Sequence, residues 1–295
     1  MFTYGAASNG ERLLPVTAME VWLPELPEVE VVRSGLDTLI RNRRIRQVQL
    51  YRRALRYPLP AGMAERLRGL TVLAVERRGK YLLFRLDGSE ILVWHLGMTG
   101  QFHVLAESDS PGRHEHAVFV LDGGLSLRYR DMRRFGYAGL LPADAWQRHP
   151  WFAGLGPEPL QEGFDGAYLY GRCHSRAAPV KQVLMDAAVV VGIGNIYACE
   201  ALFRASIDPF LPAHHLALHQ AGALVKAVKD VLREAIAAGG STISDFVRAD
   251  GRPGYFHHAF TVYQRQGQPC VRCGSPILRR MQSGRGTFYC SGCQR

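Results

Sequence analysis

Between Leu70 and Leu140 the sequence breaks into six short runs: LTVLAVER from Leu70, KYLLFRL from Lys80, EILVWHL from Glu90, HAVFVL from His116, LSLRYR from Leu125 and FGYAGLL from Phe135. Each is rich in branched and aromatic residues, and turn sequences at Asp87-Gly88 and Asp122-Gly123-Gly124 separate them. Five or more antiparallel strands at this spacing predict a sandwich or barrel. Toward the N-terminus, PEVEVVRSGLDTLI from Pro27 places Val29, Val32, Leu36, Leu39 and Ile40 on one helical stripe, with proline in the first turn and Glu28 and Glu30 at the positive helix end. Arg41 to Arg56 holds seven Arg and no acid, and reads equally as a solvated charge run or a phosphate-facing edge. Residues 1–23 show neither a sustained period nor a membrane signal and are expected to lie outside the fold.

Toward the C-terminus, the Gly- and Pro-rich acidic stretch from Gly154 to Gly166 marks a domain boundary. Helical patterns follow at about 166–175, 179–187, 195–205 and 215–238. A glycine-punctuated loop, GGSTISDFVRADGRPGYF, and a Cys-bearing tail complete the chain. The expected class is α+β, divided into an extension (1–23), a β-sandwich domain (24–155), a linker (156–165), a helical domain (166–256) and a metal-binding tail (257–295).

Composition narrows the function. With 295 residues, 47% hydrophobic and 21% charged, the chain is not disordered as a whole and suits roughly two domains of about 150 residues. The net charge of +10 favours a polyanionic partner, and no apolar run approaches the roughly 20 residues of a bilayer span, so nucleic acid leads over membrane. Only four of the 36 basic residues are Lys (Lys80, Lys181, Lys226 and Lys229), which singles them out on an Arg-biased chain. No secretory signal is visible, and a reducing cytoplasm fits the thiols.

Four of the six Cys form Cys270-x-x-Cys273 and Cys290-x-x-Cys293, separated by 16 residues. This spacing matches a four-thiolate tetrahedral zinc site closed by two knuckles on a β-hairpin. Four Cys leave no open coordination position, so one structural zinc is expected. The intervening Arg279, Arg280 and Arg285 suit a contact with DNA.

Pro24-Glu25-Leu26-Pro27-Glu28-Val29-Glu30, RRGKYLL from Arg77, HLGMTG from His95, DMRRFG from Asp131, GPEPL from Gly156, VGIGNIYACE from Val191, DGRPGYF from Asp250 and the terminal Cys hairpin together resemble the bacterial formamidopyrimidine-DNA glycosylase family. The resemblance runs from Pro24 to the end. It implies an N-terminal β-sandwich with a flanking helix, a helix-two-turns-helix domain and a C-terminal zinc finger. It also implies excision of oxidised purines, chiefly 8-oxoguanine and formamidopyrimidines, from duplex DNA by a monomer, with cleavage of the abasic strand by β,δ-elimination.

In this resemblance Pro24 is the nucleophile that forms a Schiff base at the sugar C1′. A terminal amine, with a pKa of roughly 8, has a free fraction at neutral pH that a Lys at about 10.4 lacks. Glu25 matches the acid that protonates the sugar ring oxygen, Lys80 the residue of phosphate contact and proton transfer in β-elimination, and Arg285 the zinc-finger Arg on the lesion phosphate. Asn195, at a glycine-rich helix start whose N–H groups are expected to be free, resembles its phosphate-binding companion. His114 and Lys181 match further DNA-contacting positions. Met98 and Phe135 match residues that fill the void left by an extruded base, and Arg133 one that bonds the widowed cytosine. The loop from Ser241 to Tyr255 resembles a cover over the flipped base.

The chain departs from the family at its front, where 23 residues precede Pro24 and lock its nitrogen in an amide that cannot attack C1′. Leu23 immediately precedes Pro24, and a TTG- or CTG-type Leu codon can initiate bacterial translation as Met, so the working start is expected at position 23. If the extension is retained, the alternatives are release by a protease or a catalytically silent damaged-DNA-binding protein. A smaller departure is Ser175-Arg176-Ala177-Ala178 before Lys181, where the family often carries a basic tract. An endonuclease VIII-like enzyme for oxidised pyrimidines is the rival within the superfamily, and the Val-Glu after Pro27-Glu28, DGRPGYF and DMRRFG favour the purine type. A plain zinc-ribbon nucleic-acid binder leaves the first domain's motifs without explanation.

Overall fold

The computed structural model describes residues 24–110, 112–240 and 260–295. The expected extension (1–23) and the expected cover loop (Ser241 to Tyr255) lie outside the described residues. In chain order the elements are α1 (Leu26–Ile40), β1 (Ile45–Leu50), α2 (Met63–Leu67), β2 (Val72–Arg78), β3 (Tyr81–Leu86), β4 (Glu90–His95), β5 (Gly100–Ala106), β6 (Glu115–Leu121), β7 (Leu125–Asp131), β8 (Tyr137–Pro142), α3 (Gly166–Cys173), α4 (Val180–Leu184), α5 (Asn195–Arg204), α6 (Leu218–Ala237), β9 (Leu278–Gln282) and β10 (Arg285–Tyr289).

The first eight strands form two four-stranded antiparallel sheets, ordered β1-β6-β7-β5 and β2-β3-β4-β8. Their facing sides bury Phe84, Trp94, Phe102, Phe119 and Tyr129 in one core, where Trp94 lies 4.6 Å from Tyr129 and 5.2 Å from Phe102 between ring centres. Helix α1 adds Val29, Val32, Leu36 and Ile40 to that core. Leu39, expected on the same stripe, is instead 37% exposed, at the edge of that stripe in the last helical turn, and Val31 is buried.

The Arg-rich run is not uniform. It contains β1, and Arg41 and Arg44 are tied to Asp37 Oδ2 (2.6 Å) and the Gly69 carbonyl (2.9 Å), with Arg46 paired to Glu107. Arg52, Arg53 and Arg56 remain exposed.

A second core unites α3–α6 with the Cys hairpin: Leu169, Tyr197, Phe203, Leu224 and Val228 share it with Ile277, Phe288 and Cys290. Arg272, between the first two Cys, donates to the Phe203 and Arg204 carbonyls, each at 3.0 Å, placing a cation on the negative end of α5. The boundary stretch is itself packed, with Phe164 fully buried in the second core. No helix among the described residues is long and apolar enough to cross a membrane.

Candidate active site

Pro24 and Glu25 lead into α1, and the start of α5 folds against them. Glu28 accepts the Glu25 N–H through Oε2 at 3.0 Å and the Tyr197 hydroxyl through Oε1 at 2.7 Å, which orients the peptide unit following Pro24. The Glu25 carboxyl crosses to α5, accepting the Gly194 N–H at 2.8 Å and the Ile196 N–H at 3.0 Å. A Cβ at position 194 would lie 2.3 Å from Glu25 Cδ, so glycine is what admits this carboxyl. The N–H groups expected to stand free at this helix start are therefore occupied by Glu25, a buried carboxyl that needs donors.

Burial pushes Glu25 up from 4.5 to about 7; Lys80 and the two N–H donors oppose the rise, and Glu28 adds to it. A carboxyl with this value holds its proton for a substantial fraction of the time at neutral pH.

Lys80 follows Gly79 in the turn between β2 and β3, and that turn is clamped. Glu158 of the boundary stretch accepts the Gly79 N–H at 2.7 Å, Arg77 Nη1 at 2.6 Å and Arg78 Nη1 at 3.0 Å. Arg77 Nε also reaches Glu30 Oε2 on α1 at 2.7 Å. Burial lowers the Lys80 pKa, the Glu25 and Glu28 carboxylates resist, and Arg285 lowers it further. A helix start, a β-turn and the Cys hairpin thus supply one electrostatic cluster.

Asn195 is the first residue of α5 and donates through Nδ2 to the Gly286 carbonyl at 2.9 Å, holding β10 beside Glu25. Lys181, expected at the DNA surface, is instead 2% exposed. Its ammonium donates to Asn195 Oδ1 at 2.6 Å and Thr287 Oγ1 at 2.7 Å, so it lies beneath Asn195 and fastens α4 to α5 and the hairpin. Arg285 is exposed at the start of β10.

His95 belongs to this site, and its only sequence signal was its place in HLGMTG. Nδ1 accepts the Gly97 N–H at 3.0 Å and the ring stacks on Tyr137 at 4.9 Å. Burial first, then Lys80 and Arg56, push its pKa down to about 3. The ring is neutral and its hydrogen resides on Nε2, making a neutral donor near Lys80.

The remaining expected residues form a second group on the sandwich. Met98 is half-buried, not a core residue, and Phe135 is 37% exposed with the Arg133 guanidinium 4.8 Å from its ring centre. The two loops touch backbone to backbone: a Cβ on Gly97 would lie 2.4 Å from the Gly136 nitrogen. His114 is half-buried and lines a cavity of about 400 Å³ with Tyr51, Arg52 and Arg113.

All four Cys Sγ atoms of the tail lie within 4.8 Å of one another, with Cys273 and Cys290 3.4 Å apart and Cys270 and Cys293 3.8 Å apart. Four sulfurs about 2.3 Å from one zinc stand about 3.8 Å apart, so this donor set fits a closed tetrahedral ion. The zinc is structural, and β9 and β10 carry Arg285 on the hairpin that it staples.

Three family models match the chain: the formamidopyrimidine-DNA glycosylase N-terminal domain over residues 23–138, its H2TH domain over 155–247, and a zinc finger found in FPG and IleRS over 267–295. The formamidopyrimidine-DNA glycosylase of Phenylobacterium zucineum is 49% identical over 287 residues, covering 92% of this chain and all of the relative, and that of Caulobacter sp. strain K31 is 47% identical with the same coverage. The crystal structure of the MutM (Fpg) protein of Thermus thermophilus superposes with a TM-score of 0.81 at 41% identity, covering 92% of this chain and 98% of that one. A Lactococcus lactis Fpg mutant in complex with Fapy-dG-containing DNA superposes with a TM-score of 0.84 at 31% identity, covering 92% of this chain and all of the other. By sequence, fold and metal site alike, the chain belongs to the formamidopyrimidine-DNA glycosylase family, the DNA glycosylases of base excision repair.

Proposed function

We propose that this protein is a bifunctional glycosylase and lyase that excises oxidised purines, 8-oxoguanine and formamidopyrimidines, from duplex DNA and cuts the abasic strand through a Schiff base on Pro24. The observation that carries the reading is the Glu25 carboxyl, adjacent to Pro24, buried, and poised at about 7. In the first step the Pro24 nitrogen bonds to C1′ as the base departs with its bonding pair and takes up the proton that the nitrogen sheds, and Glu25 gives its proton to the sugar ring oxygen as the ring opens. A secondary amine yields a cationic iminium directly, which acidifies the C2′ proton. Removal of that proton expels the 3′ phosphate, and the subsequent δ-elimination expels the 5′ phosphate. Lys80, whose ammonium is weakened by burial, suits the proton acceptor, and Arg285 and Asn195 suit the flanking phosphate.

Lys181 positions Asn195 from below, and His95 offers its Nε2–H to the same phosphate. Met98, Phe135 and Arg133 fill and read the gap left by the extruded nucleotide, with His114 on the backbone nearby. The Lactococcus lactis relative was crystallised with Fapy-dG DNA, with abasic-site DNA and with DNA containing an oxidised pyrimidine, which supports damaged DNA as the substrate, while the purine preference rests on the sequence motifs. The protein acts as a cytoplasmic monomer on this reading.

The chemistry requires Pro24 to be the first residue. Whole relatives are matched within 92% of this chain, and the first family model begins at residue 23, which supports a working terminus at Pro24. A chain that keeps residues 1–23 has an acylated Pro24 nitrogen, and for it the second reading, damage binding without cutting, applies. Borohydride trapping on an 8-oxoguanine duplex tests both. The chain beginning at Pro24 is expected to become covalently linked to DNA, and the chain retaining residues 1–23 or carrying Pro24→Gly to link at least about 100-fold less. Equal trapping by all three forms would remove Pro24 from the mechanism.

A further inference from the structure

Asp131, at the end of β7, is fully buried, and no cation pairs with it among the described residues. Its carboxylate is held by neutral donors: Thr99 Oγ1 at 2.5 Å on Oδ1, and the Gly136 N–H at 2.8 Å and Tyr129 hydroxyl at 3.1 Å on Oδ2. Burial first, and the Asp131 carboxylate next, hold the Tyr129 pKa far above its ordinary value, so that hydroxyl remains a donor. The Asp131 N–H donates to the His114 carbonyl at 3.0 Å, and its own carbonyl accepts from His116 Nε2 at 2.7 Å. The Thr99 oxygen in turn accepts the Arg133 N–H at 3.0 Å.

These bonds reach three separate segments. Thr99 directly follows Met98, Gly136 directly follows Phe135, and His114 is itself an expected DNA contact. Two of the segments contain strained backbone, with His114 at φ 66 and Arg134 at φ 58. Non-glycine residues stay in that region only where their surroundings over-determine them. A buried carboxylate without a counter-ion carries a desolvation cost that its hydrogen bonds must offset, which ties the three segments that donate to it or adjoin its donors to one arrangement.

We infer that Asp131 is the positioning residue that locks the Met98 loop, the Arg133–Phe135 loop and the His114 turn into one rigid wedge, and that this wedge sets how firmly a paired lesion is kept out of the duplex. The inference deepens the glycosylase reading by assigning its extrusion step to a residue that never touches DNA. Wedge side chains fixed in advance lose little freedom on insertion, whereas loops free to rotate independently must be ordered at the moment of unstacking.

Thr99→Val removes the relay hydroxyl at nearly constant shape, Thr99→Ser keeps it, and Asp131→Asn changes the hub itself. Each is compared with wild type on a duplex bearing 8-oxoguanine and a neighbouring 2-aminopurine, with the lesion facing either cytosine or an abasic residue. Unstacking is read by fluorescence and excision by single-turnover rate. Against cytosine, Thr99→Val is expected to lower the unstacking equilibrium and the excision rate about tenfold, as loss of a buried hydrogen bond does, while Thr99→Ser matches wild type. Against the abasic residue, where less stacking must be broken, the Thr99→Val loss should stay below about twofold.

Asp131→Asn should shift the same ratio further. Wild-type behaviour of Thr99→Val on the paired lesion, or an equal loss on both duplexes as general loosening would produce, overturns the inference. Fluorescence reports unstacking without base removal, so a wild type that unstacks but does not excise would remove the glycosylase reading while the Thr99→Val ratio still decides this one.

Discussion

Glu25 carries two opposed influences, and their balance is measurable. Two N–H groups at the positive end of α5 favour its carboxylate, yet desolvation prevails and the group sits at about 7. In the unfolded chain the same carboxyl loses its proton near 4.5. Between those values the folded state holds the proton that the unfolded state has released, so stability falls as pH rises through that window and the full cost is present above it. Glu25→Gln cannot ionise, and its melting temperature should therefore gain on wild type between about pH 5 and pH 8, as differential scanning calorimetry would show. With Glu25 required protonated and the Pro24 amine, at roughly 8, required free, base excision by wild type should peak between about pH 7 and pH 8 and decline above that, and Glu25→Gln should lose roughly 100-fold or more in single-turnover excision with no such decline. A wild-type rate that rises to a plateau above about pH 9, with no decline, would exclude Glu25 as the proton donor. At this scale the motif around Pro24 marked Glu25, and RRGKYLL with the scarcity of Lys marked Lys80, but the partner of each came from a distant segment: the α5 start for Glu25 and Glu158 for the Lys80 turn.

Among the elements, the zinc hairpin is the one whose integrity is easiest to remove. Cys290 is a metal ligand and is also fully buried in the helical core, two residues from Phe288 of the same core. Cys290→Ser should leave well under one zinc per chain by atomic absorption, and it should weaken binding to lesion-containing DNA by at least about tenfold, because a closed thiolate site contributes its metal-binding free energy to folding the hairpin that carries Arg285. Full zinc content with normal affinity would place the stabilising contacts elsewhere. The four helices α3–α6 were legible from period 3.6, and six of the eight sandwich strands from short branched and aromatic runs set off by turn residues. The two that escaped show why: β1 is IRQVQL inside an Arg-rich run that reads as charge, and β5 is GQFHVLA, whose polar and small residues dilute the alternation. Lys181 was marked by its rarity, but its burial under Asn195 has no local signature, since its partners lie on α5 and β10.

On the scale of the molecule, the two cores are joined where the boundary stretch returns to the sandwich. Glu158 bonds Arg77, Arg78 and the Gly79 N–H at the foot of the Lys80 turn, in surroundings where its side chain is only 10% exposed. Glu158→Ala removes one acceptor from each of two guanidinium groups and the acceptor of the Gly79 N–H, and should cost about 3 kcal/mol in urea unfolding, with strand cleavage reduced more than DNA binding because the Lys80 turn is released. A change below about 1 kcal/mol would mean that solvent replaces the carboxylate freely. Strand alternation, helical period and Cys spacing are local properties, so the division into a β-rich half and a helical half and the thiolate zinc site could be read along the chain, and the ordered short motifs carried the family. Which groups act on one another emerged from the packed fold: Glu25 is held by the α5 start, Lys181 lies beneath Asn195, His95 is a neutral donor near Lys80, and the bonds of Asp131 reach three loops. Those facts depend on contacts between segments far apart in the chain, and on the desolvation that follows when packing removes water from between them.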